Sequence, residues 1–403
     1  MSIRRADPLG SDYRPALLSV RLIFLLSGSI FATWAARIPT VKDAFGLDEA
    51  GLAIVFAGLN TGAIAGLQLG KFVTLRFGSR ATLRFAAPVF AVCLPGLLVV
   101  PNLIGLTIAA VVFALSNSVV DVAMNAHGVA VEKVSGRALL SGIHAYFSLG
   151  LIVGSLLGAA AEGADIALAP HFSAMALLAI AVAVWCTSRL LPSTADRLDS
   201  VDATEGGGGW RWPKQLIVLG LLAFCVALAE GAANDWAAVY LRDETHASST
   251  LAAVGFAIFA GSMTIGRLAG DRLVARFGPV RPFLVGTLTA GLGLGAALLF
   301  GSTIPALIGL ALLGLGISYT LPLTFAASGR VPAIAPARAI ANVSILGYLG
   351  FFTGPVLIGF VAHRLGLAIG LAVPVAVLLL AALGSRALRA QPQVPVITRT
   401  ASC

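Results

Sequence analysis

Two acidic residues and three asparagines interrupt long apolar stretches of the 403-residue sequence at regular spacings. Asn117, Asp121 and Asn125 follow one another every four residues, and Glu230 and Asn234 repeat that spacing. Residues four apart share one face of a helix, so each acid belongs to a polar stripe. An isolated carboxylate is costly in apolar surroundings unless it changes protonation or finds a partner. We therefore predict that Asp121 and Glu230 take up and release protons, beside asparagines that bind a polar substrate.

Each acid also has a structural interpretation. Asp121 and Glu230 would equally suit a buried hydrogen bond to a neighbouring helix. Asp235 lies five residues beyond Glu230, about 8 Å farther along a helix. It is a third proton-coupling candidate, or it pairs with Arg37 or Arg242.

A histidine and several aromatic residues complete the candidate site. His144 lies at a depth close to that of Asn125, so it either relays protons to the Asp121–Asn125 stripe or packs as a neutral hydrogen-bonding side chain. Aromatic rings stack on sugars and cations, but in membranes they also anchor helices at the interface. The aromatic candidates for the substrate site are Trp34, Tyr146, Trp236 and Tyr348.

The composition places these residues in a membrane protein. Of the side chains, 58% are hydrophobic and only 11% charged, against about 25% charged in soluble domains. This excludes a soluble enzyme, a disordered chain and a secreted disulfide scaffold. Twelve apolar segments have the roughly 20 residues that a spanning helix needs. They lie near 16–37, 50–69, 81–100, 103–131, 139–161, 171–190, 215–240, 251–270, 282–300, 304–328, 339–362 and 366–385.

The basic residues predict the orientation of these spans. With both termini in the cytoplasm, 23 of the 27 Lys and Arg residues, Arg267 among them, fall on the cytoplasmic side, as the positive-inside rule requires. The net charge is +9, but the basic residues are scattered in short clusters between apolar segments, which argues against nucleic-acid binding. We expect a multi-pass protein of a bacterial inner (plasma) membrane.

The sequence repeats itself at an offset of 200 residues. Leu69–Gly78 reads LGKFVTLRFG and Ala269–Gly278 reads AGDRLVARFG, while Gly150 and Gly154 correspond to Gly350 and Gly354. The repeat predicts two related six-helix bundles, 1–190 and 214–403, joined by a polar, glycine-rich cytoplasmic linker, 191–213. Transporters built this way place the substrate between the two halves near the bilayer midplane.

These features resemble the major facilitator superfamily over nearly the whole chain. The twelve spans, the central linker and the Arg-Phe-Gly after the second span carry the resemblance. Asp121–Asn125 (DVAMN) is similar to a motif of fucose-permease-type proteins, and Trp34–Pro39 (WAARIP) and Glu230–Trp236 (EGAANDW) look like a bacterial branch linked in part to rhizopine, an inositol-amine. The resemblance implies an all-α fold of two six-helix bundles with pseudo-two-fold symmetry.

The sequence departs from the family pattern at two places. Leu75 and Ala275 stand where the loop motif carries Asp, and Asp271 is a substitute in the second half. Ala35 stands where the fucose-type proteins have an acid on the first helix. Arg76 and Arg276 end spans on the cytoplasmic side, where they either hold a gate shut or simply follow the positive-inside rule. With Asp271 and Arg37 they are the gating candidates.

The resulting hypothesis is a secondary active transporter that moves a small polar organic solute, such as a sugar, polyol or amino sugar, by proton-coupled alternating access. The alternative is a proton antiporter that exports amphipathic or cationic compounds. A membrane-embedded enzyme or sensor is a weaker rival, since no nucleophile–base pair, metal cluster, phosphate-binding loop or soluble domain is evident. We expect no cofactor and no metal, partners limited to solute, protons and lipid, and a monomer.

Overall fold

The computed structural model describes residues 13–136, 139–192, 213–331 and 336–389. Every regular element in these ranges is helical. The helices are α1 (Arg14–Ala44), α2 (Glu49–Phe77), α3 (Ser79–Gly96), α4 (Leu103–Ser135), α5 (Leu140–Gly163), α6 (Leu168–Ser188), α7 (Lys214–Asp243), α8 (Ser249–Phe277), α9 (Val280–Phe300), α10 (Thr303–Ile317), α11 (Thr320–Ser328), α12 (Pro336–Leu365), α13 (Leu367–Leu383) and a 3-10 helix (Gly384–Leu388).

The predicted spans are present as helices. Within the described residues, eleven helical segments are long and apolar enough to cross a membrane, with α10 and α11 together forming one of them. The remaining span is α3, whose first two turns carry Arg80 and Arg84 and so lower its average hydropathy. Six spans therefore lie on each side of residues 193–212, which contain most of the predicted linker and lie outside the described residues.

Two predicted boundaries need correction. The first span was expected to end at Arg37, but α1 continues through Pro39 to Ala44. Arg37 does not mark the end of the span, because it is buried against Glu162 of α5 rather than placed in solvent. The tenth span was expected to be continuous, but it breaks at Ser318 and Tyr319 between α10 and α11.

The two halves share their internal packing. A Cβ added at Gly66 or Gly70 of α2 would meet α4 at Leu115, Ser118 and Val119, and one added at Gly266 or Gly270 of α8 would meet α10 and the break after it at the residues 200 positions later. Likewise Gly150 and Gly154 of α5 approach backbone carbonyls of α1, as Gly350 and Gly354 of α12 approach those of α7. The repeat in the sequence is thus a repeat of helix contacts.

Glycines also end the second helix of each half. Gly78 follows α2 with a φ of 84°, and Gly278 follows α8 with a φ of 70°. Both values lie in the region that favours glycine. The amide of Gly78 donates to the carbonyl of Thr74, and the amide of Gly278 donates to the carbonyl of Val274. These glycines account for the repeated Arg-Phe-Gly.

The halves meet along four helix pairs: α5 with α8, α2 with α12, α1 with α7, and α1 with α8. We call the end of the molecule where α1 meets α2 and α7 meets α8 the distal end. The opposite end, where α1 begins and α13 finishes, is the terminal end. The candidate site lies between the halves, on the terminal side of the distal contacts.

Candidate functional site

A cavity with two adjoining lobes lies between the halves. The lobes measure about 280 and about 210 Å³ and share Asn60, Ala63, Asn117, Tyr348 and Phe351. The first three come from α2 and α4, and the last two from α12, so both halves form the wall. A molecule held here would contact both halves.

Two carboxylates reach this cavity. Asp121 of α4 lines the first lobe, and Asp235 of α7 lines the second. The side chain of Asn125 donates to Asp121 Oδ1 over 3.1 Å and to its carbonyl over 2.8 Å. In the described part of the chain, neither acid forms an ion pair with Lys or Arg. Both are therefore available to a proton or to a cationic group of a ligand.

Carboxamides and aromatic rings form the remaining functional lining. Asn60, Asn117 and Asn234 supply amide donors and acceptors, and Asn117 Oδ1 accepts a hydrogen bond from Ser27 over 3.1 Å. Such mixed groups suit hydroxyl-bearing ligands. The rings that line the two lobes are Phe31, Phe113, Phe147, Tyr348 and Phe351.

Two larger grooves lack this polarity. One of about 440 Å³ is lined almost entirely by apolar residues of α2, α3 and α4, and another of about 720 Å³ by apolar residues of α9 and α13. Each belongs to one half alone. Size therefore does not identify the site, and the smaller cavity between the halves is the better candidate.

Glu230 lies one turn closer to the terminal end than Asn234 and does not line either lobe. Its Oε1 lies 3.7 Å from Nη2 of Arg267 on α8. The sequence had grouped Arg267 with the basic residues of the cytoplasmic loops. The structure instead places it inside a span, as the counter-ion of the predicted proton carrier.

The suggested pairing of Asp235 with Arg37 or Arg242 is wrong. Arg37 Nε contacts Glu162 Oε1 over 2.7 Å, and Arg37 donates to the carbonyl of Ile166 over 2.9 Å. Arg37 thus fixes α1 to the end of α5 within one half. Arg242 pairs with acids at the distal end, which leaves Asp235 facing the cavity.

Among the described residues, no hydrogen bond joins His144 to the Asp121–Asn125 stripe. The prediction assumed that α4 and α5 are neighbours because they are sequential, but α5 packs mainly on α1 and α8 while α4 packs on α2 and α3. The His144 ring packs against Phe24 of α1, with centroids 5.0 Å apart. The observed ring contact agrees with the packed alternative, and the relay stays a prediction.

The four aromatic candidates divide by position. Tyr348 lines the cavity. Tyr146 lies under the Arg21 guanidinium, 5.4 Å from the ring centroid. Trp34 and Trp236 are 1% and 0% exposed, and they pack on Phe113 and Phe56 respectively. Neither Trp lines the cavity, since each fills space between helices.

The distal end is closed by a cluster of ion pairs that we call the distal clasp. Lys42 contacts Asp243 over 2.6 Å, and Arg242 contacts Asp43 over 2.7 and 2.9 Å. Lys42–Asp43 ends α1 and Arg242–Asp243 ends α7, so two basic–acidic doublets 200 residues apart pair reciprocally across the halves. Lys42 also contacts Glu49, also over a short distance of 2.9 Å.

Further contacts support the closed distal end. Asp48 pairs with His363 of α12 over 3.1 Å. A Cβ added at Gly359 of α12 would lie 2.3 Å from the Cβ of Ala53. The two halves are thus in contact at the distal end at both charged and apolar positions.

Arg76 and Arg276, the gating candidates at the terminal end whose side chains are described, form no ion pair with another described residue. Arg76 is exposed in the last turn of α2. Arg276 lies over the neighbouring Phe277 ring, 5.2 Å from its centroid. The side chain of Asp271 lies outside what the structure describes. Their gating role stays a prediction.

Three features of this region were not predicted from the sequence: Asn60 in the cavity, the position of Arg267 inside a span, and the distal clasp. Asn60 stands alone, without the i, i+4 partners that marked the other asparagines. Arg267 was masked by three further arginines that follow it. The clasp left a detectable signal, because Lys42-Asp43 and Arg242-Asp243 are separated by the offset of the repeat.

Sequence comparison identifies relatives along nearly the whole chain. The chain is 33% identical over 371 residues to an uncharacterized MFS-type transporter of Yersinia pestis, covering 92% of this chain and 95% of that protein. It is 27% identical over 370 residues to the membrane protein MosC of Rhizobium meliloti, covering 90% and 89%.

Solved structures with the same fold are transporters. The nucleoside transporter NupG, in a mutant form, aligns with a TM-score of 0.76 at 12% identity over 93% of this chain and 99% of its own. A bacterial homolog of the human lysosomal transporter Spinster, inward-facing and occupied, aligns with a TM-score of 0.76 at 18% identity over 95% and 98%. The family model of the Major Facilitator Superfamily matches residues 219–400. The chain belongs to the major facilitator superfamily of membrane transporters.

Proposed function

We propose that this protein is a proton-coupled secondary transporter of a small polar organic solute, of the sugar, polyol or amino-sugar class. The observation that carries the proposal is the cavity between the halves, which combines two carboxylates, Asp121 and Asp235, with three carboxamides. Hydroxyl and amine groups of a solute would meet these oxygens and amides. Two neighbours of the same fold are described as a nucleoside transporter and a D-xylose–proton symporter. Nucleosides and xylose both carry several hydroxyl groups.

The carboxylates would supply the coupling. A carboxylate near the middle of a span costs about 2.5–3.5 kcal/mol on insertion scales, so its retention favours a role in ion or substrate transfer. Asp121 is the best candidate, because Asn125 orients its carboxylate while the other side faces the cavity. Solute and proton would enter together, and both would leave when the cavity opens to the other side.

Alternating access would follow from rocking of the two halves. With both termini in the cytoplasm, the distal clasp faces the periplasm, and the present conformation is closed to the outside. Opening the outside would break the clasp. Closing the inside would bring together the terminal ends, where Arg76, Arg276 and Asp271 are the candidate gate residues.

The test is accumulation of a defined solute in proteoliposomes under an imposed proton gradient. Binding of myo-inositol, D-glucosamine, D-xylose and uridine is first screened by thermal shift of the purified protein, and the compound that stabilises it is used for transport. Asp121→Asn should abolish accumulation while leaving exchange without a gradient measurable. Asp165→Asn, in the α5–α6 loop, is the matched control. Wild-type accumulation by Asp121→Asn would show that Asp121 is not the coupling group.

A proton antiporter that exports cationic or amphipathic compounds is the second candidate. Asp121 and Asp235 favour it to the extent that two carboxylates without a Lys or Arg partner in the described chain would attract a cation. The same proteoliposomes distinguish the two. An exporter moves the cation against the proton flow, so an inward proton gradient would drive loss of cation rather than accumulation.

A further inference from the structure

Arg267 occupies a position at which the two halves carry different residues. It follows Gly266 on α8, whereas Leu67 follows the equivalent Gly66 on α2. Arg267 lies ten residues before the end of α8, about 15 Å along the helix axis. Its side chain is 46% exposed. A guanidinium at that depth is costly in lipid, so it must face water or a partner.

The two partners of Arg267 come from two different helices. Nη2 lies 3.7 Å from Oε1 of Glu230 on α7. Nε donates to the carbonyl of Ser318, at the end of α10, over 3.4 Å. Because Arg267 itself belongs to α8, one side chain joins three spans of the C-terminal half.

The Ser318 carbonyl belongs to the break in the tenth span. Carbonyls at a helix end lose their intrahelical donors and need others. Leu315 O accepts from the Ser318 hydroxyl over 2.8 Å, and Ile317 O accepts from the Thr320 hydroxyl over 2.7 Å. Arg267 supplies the donor for Ser318 O and places a cation at the end of α10, where the helix dipole favours one.

The N-terminal half lacks both features. Its fourth span, α4, runs unbroken from Leu103 to Ser135, with Ser118 in the position of Ser318. Leu67 of α2 takes the place of the arginine. The break and the arginine thus occur together in one half and are absent together from the other, which argues that they serve one purpose.

We propose that Arg267 is a positioning residue that links the charge of Glu230 to the geometry of the tenth span. While Glu230 is ionised, it anchors the guanidinium over the end of α10 and so fixes α11 against α7. When the Glu230 carboxylate takes up a proton, Arg267 loses this anchor and the span bends at residues 318–319. The link to transport rests on the proposed function, but the link between Glu230 and the break does not.

Among the titratable side chains of the neighbouring elements, His144 on α5 interacts electrostatically with Arg267. The others are Asp121, Asp235 and Tyr348, which line the cavity, and Tyr319 in the break. In the described chain none of these four side chains or His144 forms an ion pair with Glu230. Removing the charge of Glu230 by substitution tests the link without titrating these groups.

The test measures the distance between α7 and α11 by double electron–electron resonance spectroscopy on the full-length protein in lipid nanodiscs. Spin labels replace Ile217 and Ala326, both exposed, in a background whose native cysteines are serine. Glu230→Gln and Arg267→Gln should each shift the distance by roughly 2 Å or more. The double variant should shift the distance no further than either single variant, because both substitutions disrupt the same ion pair.

Arg267→Lys provides an independent variant, since lysine keeps the charge but cannot reach both partners in the same way. It should give a shift smaller than that of Arg267→Gln. Arg272→Gln, an exposed arginine on the same helix, should give none. An unchanged distance in Glu230→Gln, or additive shifts in the double variant, would overturn the proposal. Failure of the proposed function would appear differently, as absence of proton-driven accumulation by the wild-type protein.

Discussion

Replacing Asp243 by Asn should release the distal end of the molecule. The carboxylate of Asp243 lies 2.6 Å from Lys42 Nζ across the halves and 3.0 Å from Arg242 Nε beside it. The Lys42 and Asp243 side chains are 11% and 26% exposed, so the pair is partly buried. Exposed pairs contribute about 0–1 kcal/mol, whereas disrupting a buried pair costs about 3–5 kcal/mol. We expect a loss of about 1–2 kcal/mol, since Lys42 keeps its contact with Glu49.

That loss has a measurable consequence, because the contacts it removes exist only while the distal end is closed. A change of about 1–2 kcal/mol lowers the ratio of closed to open molecules roughly 5–30-fold. Spin labels at Val99 and Leu299, which are 84% and 90% exposed, report this ratio. They occupy equivalent places in the two halves, so their separation should increase when the distal end opens. The variant should show a second, longer distance at the expense of the first.

A mutant cycle identifies the cause. Lys42→Gln should raise the open population as well, and the double variant should fall short of the sum of the two effects, because both remove the same contact. Asp165→Asn alters an acid at the same end within one half and should leave the distances unchanged. Equal populations in Asp243→Asn and Asp165→Asn would refute the clasp as the feature that keeps this end closed.

Two further predictions concern stability and are measured by thermal unfolding of the purified protein. Gly154→Ala should destabilise by roughly 1–3 kcal/mol, because its Cβ would lie 2.2 Å from the Ser29 carbonyl, whereas Gly96→Ala meets nothing within 4 Å and should leave the midpoint unchanged. Glu162→Gln should cost about 3–5 kcal/mol, because it leaves the buried Arg37 without its counter-ion. An unchanged midpoint in Glu162→Gln would show that the Arg37–Glu162 ion pair does not stabilise the fold.

The sequence was sufficient to predict the spanning helices and the repeat that relates the two halves, for a physical reason. A span must be apolar over about 20 residues, which is a local property that a single sequence displays. Membrane helices pack closely at small residues, so the four-residue spacing of Gly150 and Gly154 indicates a helix contact in the sequence itself. The break after Ile317 left no comparable signal, because Ser318 and Thr320 are common within apolar helices and only their hydrogen bonds reveal the break.

The site was predicted less completely, because it depends on which helices meet. The stripe of Asn117, Asp121 and Asn125 follows from one helix, and its first two residues do line the cavity. His144 was assigned by adjacency in the chain, and the actual neighbours of α5 are α1 and α8. Asn60 reaches the cavity from another helix, with no local pattern to indicate it.

The repeat also indicates where the chemistry resides. Positions that match between the halves, such as Gly66 and Gly266, hold the same helix contacts in both and therefore maintain the scaffold. A scaffold of two identical halves would place identical groups on both walls of the cavity and could not treat a proton and a solute differently. The differences supply that distinction, because α7 carries Glu230 with Arg267 nearby on α8, while Leu67 occupies the equivalent position on α2. The residues that act on the proton and the solute are therefore best sought where the sequences of the two halves differ.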